Sequence, residues 1–490
     1  MSLQIYNTMS GAKEPFVPLS DGKVGIYVCG PTVYDMSHLG HARVYVAFDT
    51  VVRYLRRRWD VRYVRNFTDV DDKIINRAKE LGEPAAAVSE RFIDAFVEDM
   101  AALGCARADT EPKVTEHIDD IVRLIDELVA KEHAYAVPHA TSAAAGNDVY
   151  YAVESFATYG RLGRRKLDDM EAGARVEIDP RKRNPMDFAL WKGVDPDGAL
   201  ACWDSPWGKG RPGWHIECSA MSRRYLGETF DIHGGGKDLI FPHHENEIAQ
   251  SEGASGKTLA RFWMHNGFVN IDNEKMSKSL GNFFTVRDIC TKFDTQTVRY
   301  YLLTTHYRSP INFSDGGLRE AEARIKYLYE TLGRLQSVLS DGATQGPYRQ
   351  GWVAEIVARF EAAMDDDFNT ARVLGDLSDV FKLINEILDK PGDAEVDART
   401  LRAVAAALAE IGEVLGLFVE APQAVLGRIE TRKQADSGID GARVEALLAE
   451  RLAARKAKDF ARADGIRDEL AALGVVIKDT PQGTTWELAG

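Results

Sequence analysis

Three groups of residues in this chain could do chemistry. The first is His38-Leu39-Gly40-His41, placed between an apolar run and a stretch with helical spacing. Glycine there lets backbone come close to a ligand, and the helix start that follows favours an anion. Two imidazoles flanking that spot can donate hydrogen bonds to phosphate. Taken alone, the same four letters also suit a turn with two surface histidines. No Gly-x-x-x-x-Gly-Lys phosphate loop occurs anywhere, so a nucleotide would be held in another way.

The second group is Lys275-Met276-Ser277-Lys278-Ser279-Leu280-Gly281-Asn282. Two lysines three apart in a loop of small residues can converge on phosphate oxygens as compact point charges. A solvated basic loop would read the same way. The third group is a set of metal donors. Pro242 is expected to open a helix, and His243 and Glu247, four apart, then share one face. Cys218 lies upstream, and Cys29 ends an early apolar run. Two thiolates, an imidazole and a carboxylate suit zinc. The run His244-Glu245-Asn246-Glu247-Ile248 is not the His-Glu-x-x-His protease pattern, because position 248 is isoleucine. Cys105, Cys202 and Cys290 read as ordinary core or surface residues.

These groups need elements to position them. Lys23 to Cys29 reads as a buried strand ended by Gly30-Pro31, Ala42 to Leu55 as a helix, and Val61 to Phe67 as a second strand. Strand, helix and strand in so short a span predict a parallel sheet. Helical text runs on to about Lys131. From about Ala134 to Gly213 the chain is rich in Gly, Pro and Asp with short apolar runs, which predicts an insertion with its own small β structure. Strand patterns resume at Phe230-Asp231-Ile232-His233 and at Phe262 to Gly267. After Pro310 the text is nearly all helix to about Phe418. Gln423 to Gly441 is poor in apolar residues and reads as a linker. The end of the chain predicts two helices and a hairpin split by Pro481-Gln482-Gly483.

At 490 residues the chain is too long for one core; roughly 150 residues per domain suggests about three. Acidic residues number 75 against 61 basic, for a net charge of -14, which argues against a general basic coat for nucleic acid. Local patches remain open, because steering depends on where charge sits. Arg53 to Arg65 holds six arginines, whereas Glu90 to Glu132 holds twelve acids and five bases. Five scattered cysteines do not make a disulfide framework and point to a reducing cytoplasm. No signal segment and no membrane span is expected.

The flanking text narrows the choice. The two signatures resemble those of class I aminoacyl-tRNA synthetases. Tyr27 to Asp35, Asn66-Phe67-Thr68-Asp69-Val70-Asp71-Asp72-Lys73-Ile74, Gly213-Trp214-His215-Ile216-Glu217-Cys218-Ser219 and His233-Gly234-Gly235-Gly236-Lys237-Asp238-Leu239 through Glu247 resemble the cysteinyl-tRNA synthetase family. The resemblance runs in order from Tyr27 to the last residues.

It implies an α/β fold: a Rossmann-like parallel-sheet catalytic domain over 1–133 and 214–310, and a connective insertion over 134–213. A helical bundle over 311–422, a linker over 423–441 and a small mixed α/β anticodon-recognition domain over 442–490 would follow. It implies one zinc per subunit on Cys29, Cys218, His243 and Glu247, taking the substrate thiolate. Zinc prefers sulfur to a serine hydroxyl, which packing alone rejects weakly. The resemblance further implies catalysis by His38, His41, Lys275 and Lys278, and ATP held by His38, His41, Asp238 and Lys278 with Mg2+. Thr68, Trp214 and His233 would form the rest of the cysteine pocket. Arg455, Phe460, Asp464 and Asp479 would read the anticodon, with Phe460 standing where some relatives have tryptophan. The partners implied are ATP, L-cysteine and tRNA(Cys), for a monomer in the cytoplasm with no membrane role. Two alternatives share part of the text. A ligase joining cysteine to an amino sugar would not need the cap from Ala454 to Trp486, and a dead RNA-binding relative would not need His38, His41, Lys275 and Lys278 intact.

Overall fold

The structure, a computed structural model, describes residues 2–140, 145–165, 179–195, 201–271, 274–275, 284–340, 350–390, 398–437, 441–480 and 483–488. A hairpin of β1 (Gln4–Asn7) and β2 (Ala12–Pro15) opens the chain. Both strands are short and β2 is largely exposed, so neither shows in the apolar pattern. Next come β3 (Lys23–Val28), α1 (Leu39–Leu55) and β4 (Asp60–Arg65), with β3 and β4 parallel. Val24, Ile26 and Val28 of β3 pack in one core, and Tyr27 packs in the core on the other face. A parallel strand covered on both faces reads as a continuous apolar run. Each fully buried Val or Ile contributes roughly 1.5–3 kcal/mol.

Three helices follow: α2 (Asp72–Leu81), α3 (Ala85–Ala102) and α4 (Ile118–Ala130). Then β5 (Ala134–Val137), β6 (Asp148–Tyr151), β7 (Phe188–Gly193) and β8 (Gly210–Pro212) pair in order as an antiparallel sheet. The chain returns to the parallel sheet through α5 (Trp214–Leu226), β9 (Phe230–Gly236), α6 (Glu245–Ser255) and β10 (Ala260–Asn266). The parallel sheet has the order β10-β9-β3-β4. Its strand order reverses beside β3, and ligand crevices form at such switch points beyond the carboxyl ends of the strands. β11 (Val269–Ile271) and β12 (Glu274–Lys275) are antiparallel partners, and α7 (Val286–Lys292) and α8 (Thr295–Leu303) lead to β13 (Ile311–Phe313), which lies parallel to β11.

Helices α9 (Asp315–Ser340), α10 (Gln350–Met364), α11 (Thr370–Leu388) and α12 (Ala398–Leu415) form the bundle. The stretch read as a linker corrects one expectation: α13 spans Pro422–Ser437. Among its described residues Val425 and Ile429 join the core and Leu426 packs against it, while Arg428 and Arg432 reach the buried Asp294 at 2.7 and 2.9 Å. Polar anchoring of that kind leaves little apolar periodicity. The end of the chain is α14 (Gly441–Lys456), α15 (Phe460–Ala472) and the antiparallel pair β14 (Val475–Thr480) and β15 (Gly483–Leu488), around a small core of its own.

A knot ties the first strand to the bundle. Gln4 bridges Asp366 in parallel, and Asp367 Oδ1 accepts from the Tyr6 N–H at 2.9 Å. The same carboxylate accepts from the Tyr307 hydroxyl and from Arg308. Asp367 and Phe368 hold φ of 62° and 54°, a left-handed pair that aims Asp367 inward.

Candidate active site beyond the parallel strands

Cys29 follows the last residue of β3, and its N–H donates to the Gly234 carbonyl at 3.1 Å. Gly30 comes next, its N–H bonded to Asn66 Oδ1 at 2.8 Å. A Cβ on Gly30 would lie 1.5 Å from the Asn66 carbonyl oxygen, so only glycine lets the ends of β3 and β4 meet here. Cys218 sits in the second turn of α5, one turn beyond Trp214. Glu247 sits in the first turn of α6.

Pro242 does not open a regular helix. Ile240–His244 is a π-type turn with Phe241 extended, and α6 begins at Glu245. His243 nevertheless reaches Glu247, with Nε2 3.1 Å from Oε1. Cys29 Sγ is 3.7 Å from Cys218 Sγ and 3.5 Å from Glu247 Oε1. The donor atoms of Cys29, Cys218, His243 and Glu247 therefore fall within 4.8 Å of one another. A second set shares the corner: Cys29, His233, His244 and Glu247 also converge within that distance.

The chemistry of these donors suits a divalent cation. All four of the first set are buried. Among the described residues no lysine or arginine pairs with Glu247; its ion-pair partners are His233, His243 and His244. Burial holds His243 and His244 well below the usual imidazole range, so neither readily supplies a positive charge. Burial pushes the Cys29 thiol well up, and Cys218 also rises although its thiol contact with Cys29 works the other way. A bound cation reverses that, since a coordinating thiol loses its proton outright. Two thiolates, one imidazole and one carboxylate favour zinc. His243 Nδ1 meets His215 Nδ1 at 2.9 Å; a ring ligating through Nε2 donates there from Nδ1, which fixes its orientation.

Behind this corner runs a chain of which only the near end, His233 and Glu247, is named from the sequence. His233 Nε2 meets Glu247 Oε2 at 2.8 Å, His244 Nδ1 meets His265 Nε2 at 2.7 Å, and His265 Nδ1 meets Thr8 Oγ1 at 2.8 Å. Burial lowers His265 to about 3. Glu217 was missed as well. It is buried, its carboxyl is pushed well up by that burial, and it accepts from Thr68 Oγ1 at 2.9 Å. Only the Cys218 next to Glu217 and the His243 next to His244 could have hinted at either.

A cavity of about 310 Å³ opens beside the corner. Cys29, Trp214, His38, His41 and Asp238 all line it, and the Trp214 ring lies 4.3 Å from the His243 ring, centroid to centroid. Thr68 and His233 are not on its wall. Thr68 bridges the wall residue Thr32 and bonds Glu217; His233 stacks on Trp263 behind Glu247.

His38 caps α1 and closes a reciprocal box with His41: the His41 N–H donates to His38 Nδ1 at 3.3 Å and the His38 N–H to His41 Nδ1 at 3.4 Å. The two rings stack with centroids 3.8 Å apart. With each Nδ1 accepting, a neutral ring carries its proton on Nε2, where it is a donor. Beside them, His38 bridges Thr285 and the Leu39 N–H donates to the Phe284 carbonyl. Lys275 lies in β12 opposite Asn270, and Lys278 lies outside the described residues. Among the described residues, Lys275 is thus paired with β11, and Phe284 and Thr285 meet the first signature.

At the far end, Arg455, Phe460 and Asp464 are exposed around the turn between α14 and α15. Asp479 pairs with Thr484 in the terminal hairpin.

Comparison with known proteins gives the family. The family profile described as the tRNA synthetases class I (C) catalytic domain matches residues 15–323. The DALR domain matches 359–419, and the cysteinyl-tRNA ligase anticodon binding domain matches 441–486. The chain is 53% identical over 493 residues to the cysteine–tRNA ligase of Geobacter sulfurreducens, covering all of both chains. It is 54% identical over 496 residues to that of Anaeromyxobacter dehalogenans, again over all of both. Among solved structures, a Mycobacterium tuberculosis methionyl-tRNA synthetase in complex with methionyl-adenylate shares the fold at a TM-score of 0.60 and 19% identity, over 83% of this chain and 96% of that one.

Proposed function

The chain belongs to the cysteinyl-tRNA synthetases of class I, and from that premise we propose that it activates L-cysteine with ATP and esterifies it to the 3′ end of tRNA(Cys). One observation carries the reading: the Cys29, Cys218, His243 and Glu247 corner adjoins, through Cys29 and the Trp214 ring on His243, the cavity that His38, His41 and Asp238 line. These four residues would hold zinc, which when bound supplies a soft Lewis acid that prefers a cysteine thiolate to a serine hydroxyl. That preference removes the need for a separate hydrolytic domain, and 134–213 serves as a connective insertion between the two catalytic segments, 1–133 and 214–310.

The carboxylate of cysteine attacks the α-phosphate of ATP, and pyrophosphate leaves. No general base is needed, because that carboxylate is ionised at neutral pH. His38 and His41 donate from Nε2 to the charge that builds on phosphate, held ready by their mutual cap. Lys275 and Lys278 bring further positive charge, Asp238 accepts from the ATP ribose, and Mg2+ accompanies the nucleotide. Trp214 packs between the metal corner and the cavity and shapes the cysteine pocket. A ribose hydroxyl of the terminal adenosine then attacks the activated carbonyl, giving up its proton as the ester bond forms and AMP leaves. Residues 311–422 meet the tRNA body, α13 connects, and Arg455, Phe460, Asp464 and Asp479 in 442–490 read the anticodon. The protein works as a cytoplasmic monomer.

The test is pyrophosphate exchange with ATP and cysteine, repeated with serine, followed by charging of tRNA(Cys). Exchange with cysteine but not serine, together with charging, is the expected result. Absence of exchange sinks the reading, and exchange without charging would favour transfer of cysteine to another acceptor.

A further inference from the structure

One cation on the cavity wall has no task in the scheme above. Lys73 lines the cavity and is exposed, with its ammonium 5.4 Å from the centre of the Tyr34 ring. Among the described residues no carboxylate forms an ion pair with it. The acid beside it, Asp72, is engaged: Lys192 of β7 holds it at 2.7 Å and Arg211 of β8 binds its other oxygen. These pairs bring the start of α2 against the inserted sheet, so Lys73 stands where the catalytic domain and the insertion adjoin.

The order of strands gives Lys73 its partner. Three anionic groups must enter this cavity: the cysteine carboxylate, the triphosphate of ATP and the backbone of the tRNA end. Asp238 follows β9, and Asn266 at the end of β10 and Gly267 and Phe268 after it are also on the wall, so the nucleotide side of the cavity is the β9–β10 side. His38 and His41 follow the central β3. Lys73 follows β4, the opposite edge of the sheet from β10. The metal corner beneath Cys29 and the wall at Trp214 take up the space between. An exposed ammonium at the far edge, beside the insertion, is available to a group that arrives from outside after the adenylate has formed.

We propose that Lys73 binds a backbone phosphate at the 3′ end of tRNA and positions the terminal ribose for the transfer step. This rests on the reading of the chain as a tRNA-charging enzyme. A lysine ammonium suits a phosphodiester as a point charge, and the Tyr34 ring holds it over the cavity without neutralising it.

The experiment separates the two steps in Lys73→Ala and Lys73→Arg. Exchange reports adenylate formation; single-turnover transfer from enzyme-bound cysteinyl-adenylate to tRNA(Cys), measured across a range of salt, reports the second step. In Lys73→Ala, transfer is expected to fall about tenfold or more beyond any fall in exchange. Its dependence of log affinity on log salt should flatten by about 0.7, the share of one phosphate on a single strand. Lys73→Arg should recover most of the transfer. Equal losses in exchange and transfer would assign the lysine to ATP or to the cysteine carboxylate and overturn the proposal. Slower transfer with an unchanged salt slope would make the effect structural and overturn it too. If the unaltered protein exchanges pyrophosphate but charges no tRNA, it is the tRNA-charging reading that fails, and that result shows before any variant is made.

Discussion

The metal corner and the C-terminal cap differ first in how their polar groups are held. Around Cys29 and Cys218 every donor is buried and tied to a second residue, as His243 is to His215 and His244 to His265. In the cap, Arg455, Phe460 and Asp464 stand in solvent on two helices whose core is Val444, Leu447, Leu448, Ile466, Leu470 and Val475. The first region suits selection of one small soft atom, where each donor has one place. The second suits a long flexible ligand, read by stacking and charge in small increments. Damage to the corner should therefore be close to all-or-none, and damage to the cap graded.

The largest effect is expected from Cys218→Ser. Changes to residues behind a metal ligand typically cost 10–100-fold, and loss of a ligand itself should exceed that. Metal content and discrimination of cysteine from serine should fall together; a purified variant with full zinc occupancy would break the assignment. Lys278→Ala should come next, lowering the rate of adenylate formation by about 10²–10³, the loss seen when one charge-stabilising donor is removed. Cysteine affinity should hardly change, and an equal loss there would count against a phosphate role.

Phe460→Ala tests the other side of the comparison. One lost stacking contact costs about 1–3 kcal/mol, and the loss should appear as weaker tRNA binding in charging assays rather than in exchange. An abrupt loss of all charging would show that the cap is not graded. The smallest effect should come from Asp72→Asn. Burial raises the Asp72 pKa, but Lys192 and Arg211 outweigh it and leave the carboxyl below its usual value. Its stabilisation is thus complete above the usual carboxylate pKa of about 3.9 and fades as pH falls through the lower folded value. The side chain is 48% exposed, so screening limits the change to about 1 kcal/mol or less. Thermal melts should show it at neutral pH and lose it in strong acid.

The corner was legible in sequence to the extent that its chemistry is local. His243 and Glu247 are four apart and mark one face even across the irregular turn at Pro242, and the signatures are short enough to stand out. Cys29 stands among the candidate donors by residue type alone; no spacing ties it to the others, because parallel-sheet packing brings β3 to α5 and α6. The chain from His244 through His265 to Thr8 joins an irregular turn, a strand and the first hairpin, and no spacing encodes that. Thr68 and His233 are named through the resemblance alone, and their bonds to Glu217 and Glu247 join residues far apart in the chain. The segment 423–441 misled for a different reason: α13 is held by Arg428 and Arg432 on Asp294, and charged anchors resemble solvated text.

The knot at Asp367 bears on how the chain is made. The Tyr6 N–H waits for a carboxylate 361 residues away, which at about 5–20 residues per second emerges roughly 20–70 s later. Until then β1 has only its hairpin partner β2 and the strands of the catalytic sheet to hold it. The catalytic half must therefore spend most of its synthesis with an unfinished edge, and completion of the bundle is the event that seals it.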